Sequence, residues 1–179
     1  MKKSNIQNLT LTALVAAILC VMGPLVIPIG MIPISLTNMV IYLAIILLDK
    51  KRATISVVIY LLIGFVGLPV FAGFTGGVGK LLGPTGGYLI GFIPMAVIAG
   101  LFIEKFPKKV AIHFVGMVLG TIVCYVFGTM WLAHQANMSF SAALAAGVIP
   151  FIPGDICKII IAMIAAPQIK KPLAKAGLI

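Results

Sequence analysis

Charge is scarce in this sequence, and negative charge is scarcer still. Only 9% of the 179 residues are charged, and three are acidic: Asp49, Glu104 and Asp155. Because a water-soluble surface needs far more charge than this, 62% hydrophobic residues and a mean hydropathy of +1.25 predict an integral membrane protein. The scarcity of carboxylates also leaves no pair for acid–base catalysis, and we expect no catalytic residues.

Cysteine and histidine are sparse as well. Cys20, Cys124 and Cys157 stand apart in apolar surroundings, without the paired spacing of a disulfide framework or a zinc site. His113 and His134 are isolated, and no Gly-x-Ser-x-Gly pattern of a hydrolase nucleophile is present. The sequence therefore predicts no metal site, no bound cofactor and no enzyme.

The cations that are present fall into four short clusters. They hold 11 of the 13 lysine and arginine residues: Lys2-Lys3, Lys50-Lys51-Arg52, Lys105-Lys108-Lys109 and Lys170-Lys171-Lys175. If two membrane spans separate each cluster from the next, all four lie on one side, which the positive-inside rule makes the cytoplasm. Both termini are then cytoplasmic, and the clusters suit an anionic leaflet better than nucleic acid. Only Lys80 and Lys158 fall on the opposite side, which is where function is to be sought.

Apolar stretches between the clusters predict an all-α membrane protein, a compact bundle of six transmembrane helices that forms a single domain over residues 1–179. The expected spans are about 9–27, 36–48, 53–68, 88–103, 110–132 and 142–166, with an external turn at 29–35. Six spans of roughly 20 residues leave no room for a soluble ATP-binding domain. Any energy source must therefore come from a partner.

A glycine-rich stretch, residues 69–87, separates the third and fourth spans and holds seven of the 19 glycines. Glycine adds backbone freedom and uncovers peptide groups, so this stretch does not suit a lipid-facing helix. We expect an external or re-entrant loop that approaches a small ligand and supplies apolar walls, although a tight loop that only seals the bundle is the alternative. The candidate contacts are Phe71, Phe74, Gly76, Gly79 and Tyr88.

Asp155 and Lys158 stand three residues apart, after a proline-rich break at 150–154 in the last apolar stretch. The break predicts the start of a new helix that carries both charges on one face, about one turn from the external side. Charges at membrane depth cost about 3 kcal/mol or more and need partners. The two side chains either neutralise each other as a structural ion pair or form a polar clamp for a ligand.

Two smaller sets of residues also have two interpretations each. Thr37 and Asn38, at the external start of the second span, either bind a ligand by hydrogen bonds or cap a helix. Ala13 and Ala17 lie four residues apart in the first span, where small residues allow another helix to come close. That second helix belongs either to a partner protein or to this bundle.

Three motifs together resemble a known family. They are residues 67–73 (GLPVFAG), residues 83–88 (GPTGGY), and residues 150–155 (PFIPGD) followed by Lys158. In this combination they are similar to the biotin-specific substrate-capture component (BioY) of energy-coupling factor transporters. The resemblance covers essentially the whole chain, including its length, its six spans and the alanine pair.

The resemblance implies a bacterial inner-membrane protein that captures biotin near the external face and delivers it to the cytoplasm. It implies that the glycine-rich loop covers the vitamin and that Asp155 and Lys158 belong to the pocket. Ala13 and Ala17 would dock onto a transmembrane coupling subunit that works with two ATPase subunits. The capture subunit would topple in the membrane to release its substrate.

Two positions depart from the family pattern. Phe74 stands where a polar or small residue is frequent, and Leu36-Thr37-Asn38 replaces a leucine-glutamine-threonine run. The alternatives to biotin capture are capture of another vitamin, such as riboflavin or thiamine, and a small membrane channel.

Overall fold

The computed structural model describes residues 5–27 and 34–177. The cluster Lys2-Lys3 and residues 29–33 of the predicted external turn lie outside this described part. The helices within it are α1 (Asn5–Met22), α2 (Thr37–Leu47), α3 (Lys50–Phe65), α4 (Val78–Leu82), α5 (Gly86–Lys105), α6 (Val110–Gln135), α7 (Phe140–Gly147) and α8 (Ile152–Lys175). Two short strands, β1 (Val26–Ile27) and β2 (Ile34–Ser35), pair antiparallel, and a 3₁₀ turn (Ile149–Phe151) joins α7 to α8.

Within residues 5–27 and 34–177, four helical segments are long and apolar enough to cross a membrane, namely α1, α5, α6 and the unit of α7 and α8, Phe140–Lys175. They coincide with the first, fourth, fifth and sixth spans expected from the sequence. The second and third expected spans correspond to α2 and α3, which are helices of 11 and 16 residues. The protein is therefore a mostly helical membrane protein.

Helix α2 lies at the centre of the bundle. Ile41 and Tyr42 are fully buried, Ala44 and Ile45 are nearly so, and the helix contacts α1, α3, α5 and α8. None of its residues 37–47 is exposed, so protein covers the helix on all sides. Because its surroundings are protein, α2 does not need the length that a lipid-facing span requires.

Glycines bring α5 and α6 into close contact. A Cβ atom at Gly91 of α5 would press against Cys124, and one at Gly128 of α6 would overlap the ring of Tyr88. Because lipid is as apolar as leucine, close packing at small residues drives helix association in a membrane. This packing fixes Tyr88 near the start of α5, where it forms part of the site described below.

One end of the bundle gathers the described basic clusters. Lys50 Nζ lies 3.3 Å from Glu104 Oε2, so the start of α3 meets the end of α5. Arg52 donates to Asn8 Oδ1 of α1 at 2.7 Å, and the carboxyl end of α8 lies near the same part of α1. We call this the basic end.

The opposite end holds β1, β2, the glycine-rich segment and the start of α8. Phe71 and Thr75 exchange backbone hydrogen bonds, and Gly73 N donates to Pro24 O at 3.1 Å, which ties the segment to the chain that leaves α1. The segment contains the short helix α4. As expected from the proline-rich break, a new helix begins at Ile152 and carries Asp155 in its first turn.

Candidate functional site

A buried cluster of polar side chains surrounds Asp155. Its Oδ1 atom lies 2.9 Å from Lys158 Nζ and also accepts a hydrogen bond from Asn38 Nδ2 at 2.7 Å. Its Oδ2 atom accepts from the Tyr125 hydroxyl at 2.6 Å, and Lys158 Nζ donates to the Ser35 carbonyl at 2.8 Å. The cluster therefore joins α8 to α2, α6 and β2.

The charges of this cluster are compensated but leave some bonding capacity. Asp155 and Lys158 are 7% and 8% exposed, so each would be costly to bury alone. Lys158 uses two of its three N–H donors, and Asp155 Oδ2 accepts one hydrogen bond where a carboxylate oxygen can accept about two. The pair can therefore offer a ligand one donor and one acceptor side by side.

A cavity of about 100 Å³ opens beside the cluster. Its polar lining residues are Ser35, Thr37, Asn38, Tyr60, Lys80, Thr85, Tyr88, Thr121, Cys124, Tyr125, Asp155 and Lys158. Its apolar lining includes Leu89, Phe92, Met95 and Phe151. Apolar walls with a few converging polar groups are typical of small-molecule sites. We call this the polar cavity.

Five of the nine ligand-binding candidates from the sequence line the polar cavity. They are Thr37, Asn38, Tyr88, Asp155 and Lys158. Asp155 and Lys158 form the ion pair of the first interpretation, and because both also line the cavity, the ligand clamp stays a prediction. The Asn38 side chain donates to Asp155 Oδ1, and its own Oδ1 atom accepts from the Met39 backbone N–H in the first turn of α2 at 3.1 Å.

The other four candidates lie elsewhere. Phe71 is fully buried and packs edge to face on Tyr60, with ring centroids 5.5 Å apart, and its ring occupies the space that Gly64 leaves open. Phe74 is 67% exposed and has a φ of +58°, so its side chain points away from the core. Gly76 packs against the backbone of Leu68, and Gly79 faces open space. None of the four is among the cavity's lining residues.

Several lining residues were not among the candidates from the sequence. Thr121 and Tyr125 are four residues apart on α6, and this polar stripe in an apolar span is a signal that could have identified them. Lys80, one of two cations away from the clusters, is not among the ligand contacts predicted from the sequence. Thr85 Oγ1 is shielded from solvent and has no hydrogen-bond partner among the described residues. It is therefore a polar atom that a ligand could satisfy.

A second, apolar cavity of about 460 Å³ lies between α6, α7 and α8. Its lining is almost entirely hydrophobic, for example Phe114, Phe140 and Ile156, and Thr121, Tyr125 and Asp155 line both cavities. These three polar residues thus form the partition between an apolar cleft and the polar cavity.

Ala13 and Ala17 lie on the outward face of α1. Both are exposed, whereas Ala16 beside them is 2% exposed and packs inside the bundle. The pair therefore does not serve helix packing within the described part of the chain. It leaves a shallow, small-residue surface on α1.

Comparison with known proteins connects this geometry to a family. The sequence matches the BioY family over residues 1–175. It is 36% identical to biotin transporter BioY2 of Lactococcus lactis subsp. cremoris (strain MG1363) over 92% of this chain and 90% of that protein. It is 38% identical to biotin transporter BioY of Thermotoga maritima (strain ATCC 43589 / DSM 3109 / JCM 10099 / NBRC 100826 / MSB8) over 81% of this chain and 85% of that protein.

A solved structure agrees with the sequence relatives. The crystal structure of the S-component for biotin from an ECF-type ABC transporter superimposes with a TM-score of 0.86 at 33% identity, over 94% of this chain and 95% of that one. Sequence and fold thus lead to one conclusion: the chain belongs to the BioY family.

Proposed function

We propose that this protein is the biotin-capturing subunit of a vitamin uptake transporter and that biotin binds in the polar cavity. One observation carries the proposal: a buried Asp155–Lys158 pair lines a cavity at the end of the bundle opposite the basic clusters. The names of the relatives support biotin as the substrate. The protein would bind and move its substrate without chemistry on it.

The hydrogen-bonding capacity of the pair suits the cyclic urea of biotin. A urea ring presents a carbonyl acceptor next to N–H donors. The remaining N–H of Lys158 can donate to the urea carbonyl, while Asp155 Oδ2 can accept from an adjacent urea N–H. Hydrogen bonds to charged groups are stronger than neutral ones, so this end of the ligand would be held firmly.

The apolar walls suit the rest of the ring system, but the cavity has to widen. Leu89, Phe92 and Met95 offer hydrophobic contact to the sulfur-containing ring. Ligand pockets usually enclose about 300–1,000 Å³, more than the 100 Å³ of this cavity. The glycine-rich segment supplies Ala72, Lys80 and Thr85 to the wall, and we expect it to move outward on binding and then to cover the ligand.

The different charges of the two ends of the bundle suggest how the protein is oriented in the membrane, and its exposed α1 surface suggests where partner subunits bind. We propose that the basic end and both termini lie on the cytoplasmic side of a bacterial inner membrane, as the positive-inside rule favours, so that the polar cavity opens outward. We propose a single domain of six spans, in which α2 and α3 cross as short, partly protein-covered helices. The exposed pair Ala13 and Ala17 would dock a transmembrane coupling subunit, and two ATPase subunits would supply the energy.

Equilibrium binding tests the proposal against its closest rival. Purified protein is titrated separately with biotin, riboflavin and thiamine. We expect saturable one-to-one binding of biotin and none of the other two at matched concentrations. Binding of riboflavin or thiamine in preference to biotin would contradict the substrate, and substrate-independent ion flux in liposomes would favour a channel.

A further inference from the structure

The polar cavity contains a second lysine whose charge is not compensated. Lys80 lines the cavity and is half-buried, and its Nζ atom makes no hydrogen bond or ion pair with any residue in 5–27 or 34–177. Lys158, by contrast, is paired with Asp155 and bound to the Ser35 carbonyl. The two lysines of this end therefore differ in what they can offer a ligand.

The position of Lys80 is fixed although its side chain is free. On one side of α4, Gly77 N donates to Gly64 O of α3 at 2.6 Å. On the other side, Trp131 Nε1 of α6 donates to Gly83 O at 2.9 Å, and Gln135 Nε2 donates to Leu82 O at 2.5 Å. Anchored at both ends, α4 holds the base of the Lys80 side chain at the cavity wall.

Charge balance separates the roles of the two lysines. Biotin is a monoanion at neutral pH, and an anion removed from water needs a cation that is not already neutralised. A carboxylate brought to Lys158 would meet the negative charge of Asp155 at once, because the two groups lie 2.9 Å apart. No acid within residues 5–27 or 34–177 forms an ion pair with Lys80, so a carboxylate bound there would balance its charge and make the occupied cavity neutral overall.

We propose that Lys80 binds the carboxylate of the substrate and thereby sets the preference for an acid over its neutral derivatives. Asp155 and Lys158 then hold the urea end, and the ligand spans the cavity from α8 to α4. This assignment rests on the proposed function. It also fits the location of Lys80 on the glycine-rich segment, because binding the carboxylate would draw that segment onto the ligand.

A ligand-by-variant comparison tests the assignment. Biotin and biotinamide, which differ in the charge of one end, are each titrated against the wild type, Lys80→Met, Lys80→Arg and the control Lys108→Met. Lys108 is an exposed cation of the basic end. We expect the wild type to prefer biotin by about 10- to 100-fold, the range for a hydrogen bond to a charged group, and Lys80→Met to lose most of that preference.

The remaining results discriminate between explanations. Lys80→Met should bind biotinamide nearly as well as the wild type, Lys80→Arg should keep most of the preference, and Lys108→Met should change neither affinity. Equal weakening of both ligands in Lys80→Met, or an intact preference for biotin, would overturn the assignment while leaving biotin capture in place. If the wild type bound neither ligand, the proposed function itself would fail, and the assignment with it.

Discussion

The two ends of the bundle use positive charge in opposite ways. At the basic end the cations are many and mostly exposed, and their ion pairs, such as Lys50 with Glu104, lie partly in solvent. At the other end two lysines face one cavity, and Lys158 is 8% exposed and bound to Asp155 and to the Ser35 carbonyl. At the basic end the total number of positive charges matters, because it favours the cytoplasmic side of the membrane. At the cavity the exact position of each charge matters, because each can bind a particular group of a ligand. Substitutions at the two ends should therefore differ greatly in effect.

The largest effect should come from breaking the buried pair. Lys158→Ala and Asp155→Asn each leave a buried polar group without its partner, a change that costs about 3–5 kcal/mol at buried pairs. We expect biotin affinity to fall by about 100-fold or more in each variant. The measurement is equilibrium binding together with thermal unfolding.

A double variant separates binding from folding. Asp155→Asn with Lys158→Met removes both charges, so it should unfold at a temperature close to that of the wild type and yet bind no biotin. Wild-type affinity in this double variant would exclude the pair from the site.

The next effect concerns the wall that Tyr88 forms. A Cβ atom at Gly128 would overlap the Tyr88 ring, so Gly128→Ala should destabilise the protein by about 1–3 kcal/mol and weaken biotin binding. Gly79→Ala is the matched control, because a Cβ atom there faces open space. The unfolding temperature should fall clearly for Gly128→Ala and remain unchanged for Gly79→Ala. Equal loss in both would refute the packing explanation.

The small-residue surface on α1 should matter for assembly with the coupling subunit and not for ligand binding. Ala13→Trp places a large side chain on the exposed small-residue surface, and we expect copurification with the coupling subunit to fall about 10-fold or more, the equivalent of 1.4 kcal/mol. Biotin binding should stay unchanged. Val115→Trp, at an exposed site on α6, is the control, and the coupling subunit should still copurify with it. If the coupling subunit still copurified with Ala13→Trp as it does with the wild type, the docking surface would have to lie elsewhere.

The smallest effect should come from a single change at the basic end. Lys108→Gln removes one exposed cation of the 13, so stability should change by less than about 0.5 kcal/mol. Biotin affinity, measured by equilibrium binding, and membrane orientation, measured by labelling of single cysteines introduced at the termini, should equal those of the wild type. A loss of binding comparable to that of Lys158→Ala would show that the two ends do not differ as described.

Much of the fold was predictable because membrane proteins obey strong local rules. Of the six spans predicted from the apolar stretches, four correspond to helical segments of membrane length in the described part of the chain, and the proline-rich break predicted the start of α8. The short helix α4 was not predicted, because glycines at 77, 79 and 83 disfavour a helix unless tertiary contacts hold it. Bonds from Gly77, Trp131 and Gln135 supply those contacts.

The charged residues of the site were predictable from the sequence. The residues whose placement depends on packing were not. Asp155 and Lys158 stood out since a charge in a membrane span needs a partner. Phe71 and Phe74 could not be assigned from sequence, because either aromatic ring could fill the core or face a ligand. Phe71 fills the gap at Gly64, and the left-handed backbone of Phe74 turns it outward. Tyr125 reaches Asp155 only through the packing of α6 against α8.

A structure of the protein with biotin bound tests the central claim most directly. We predict that the ligand lies in the polar cavity, with its urea ring against Asp155 and Lys158 and its carboxylate toward Lys80. Biotin located at the basic end, or in the apolar cleft between α6 and α8, would contradict the account.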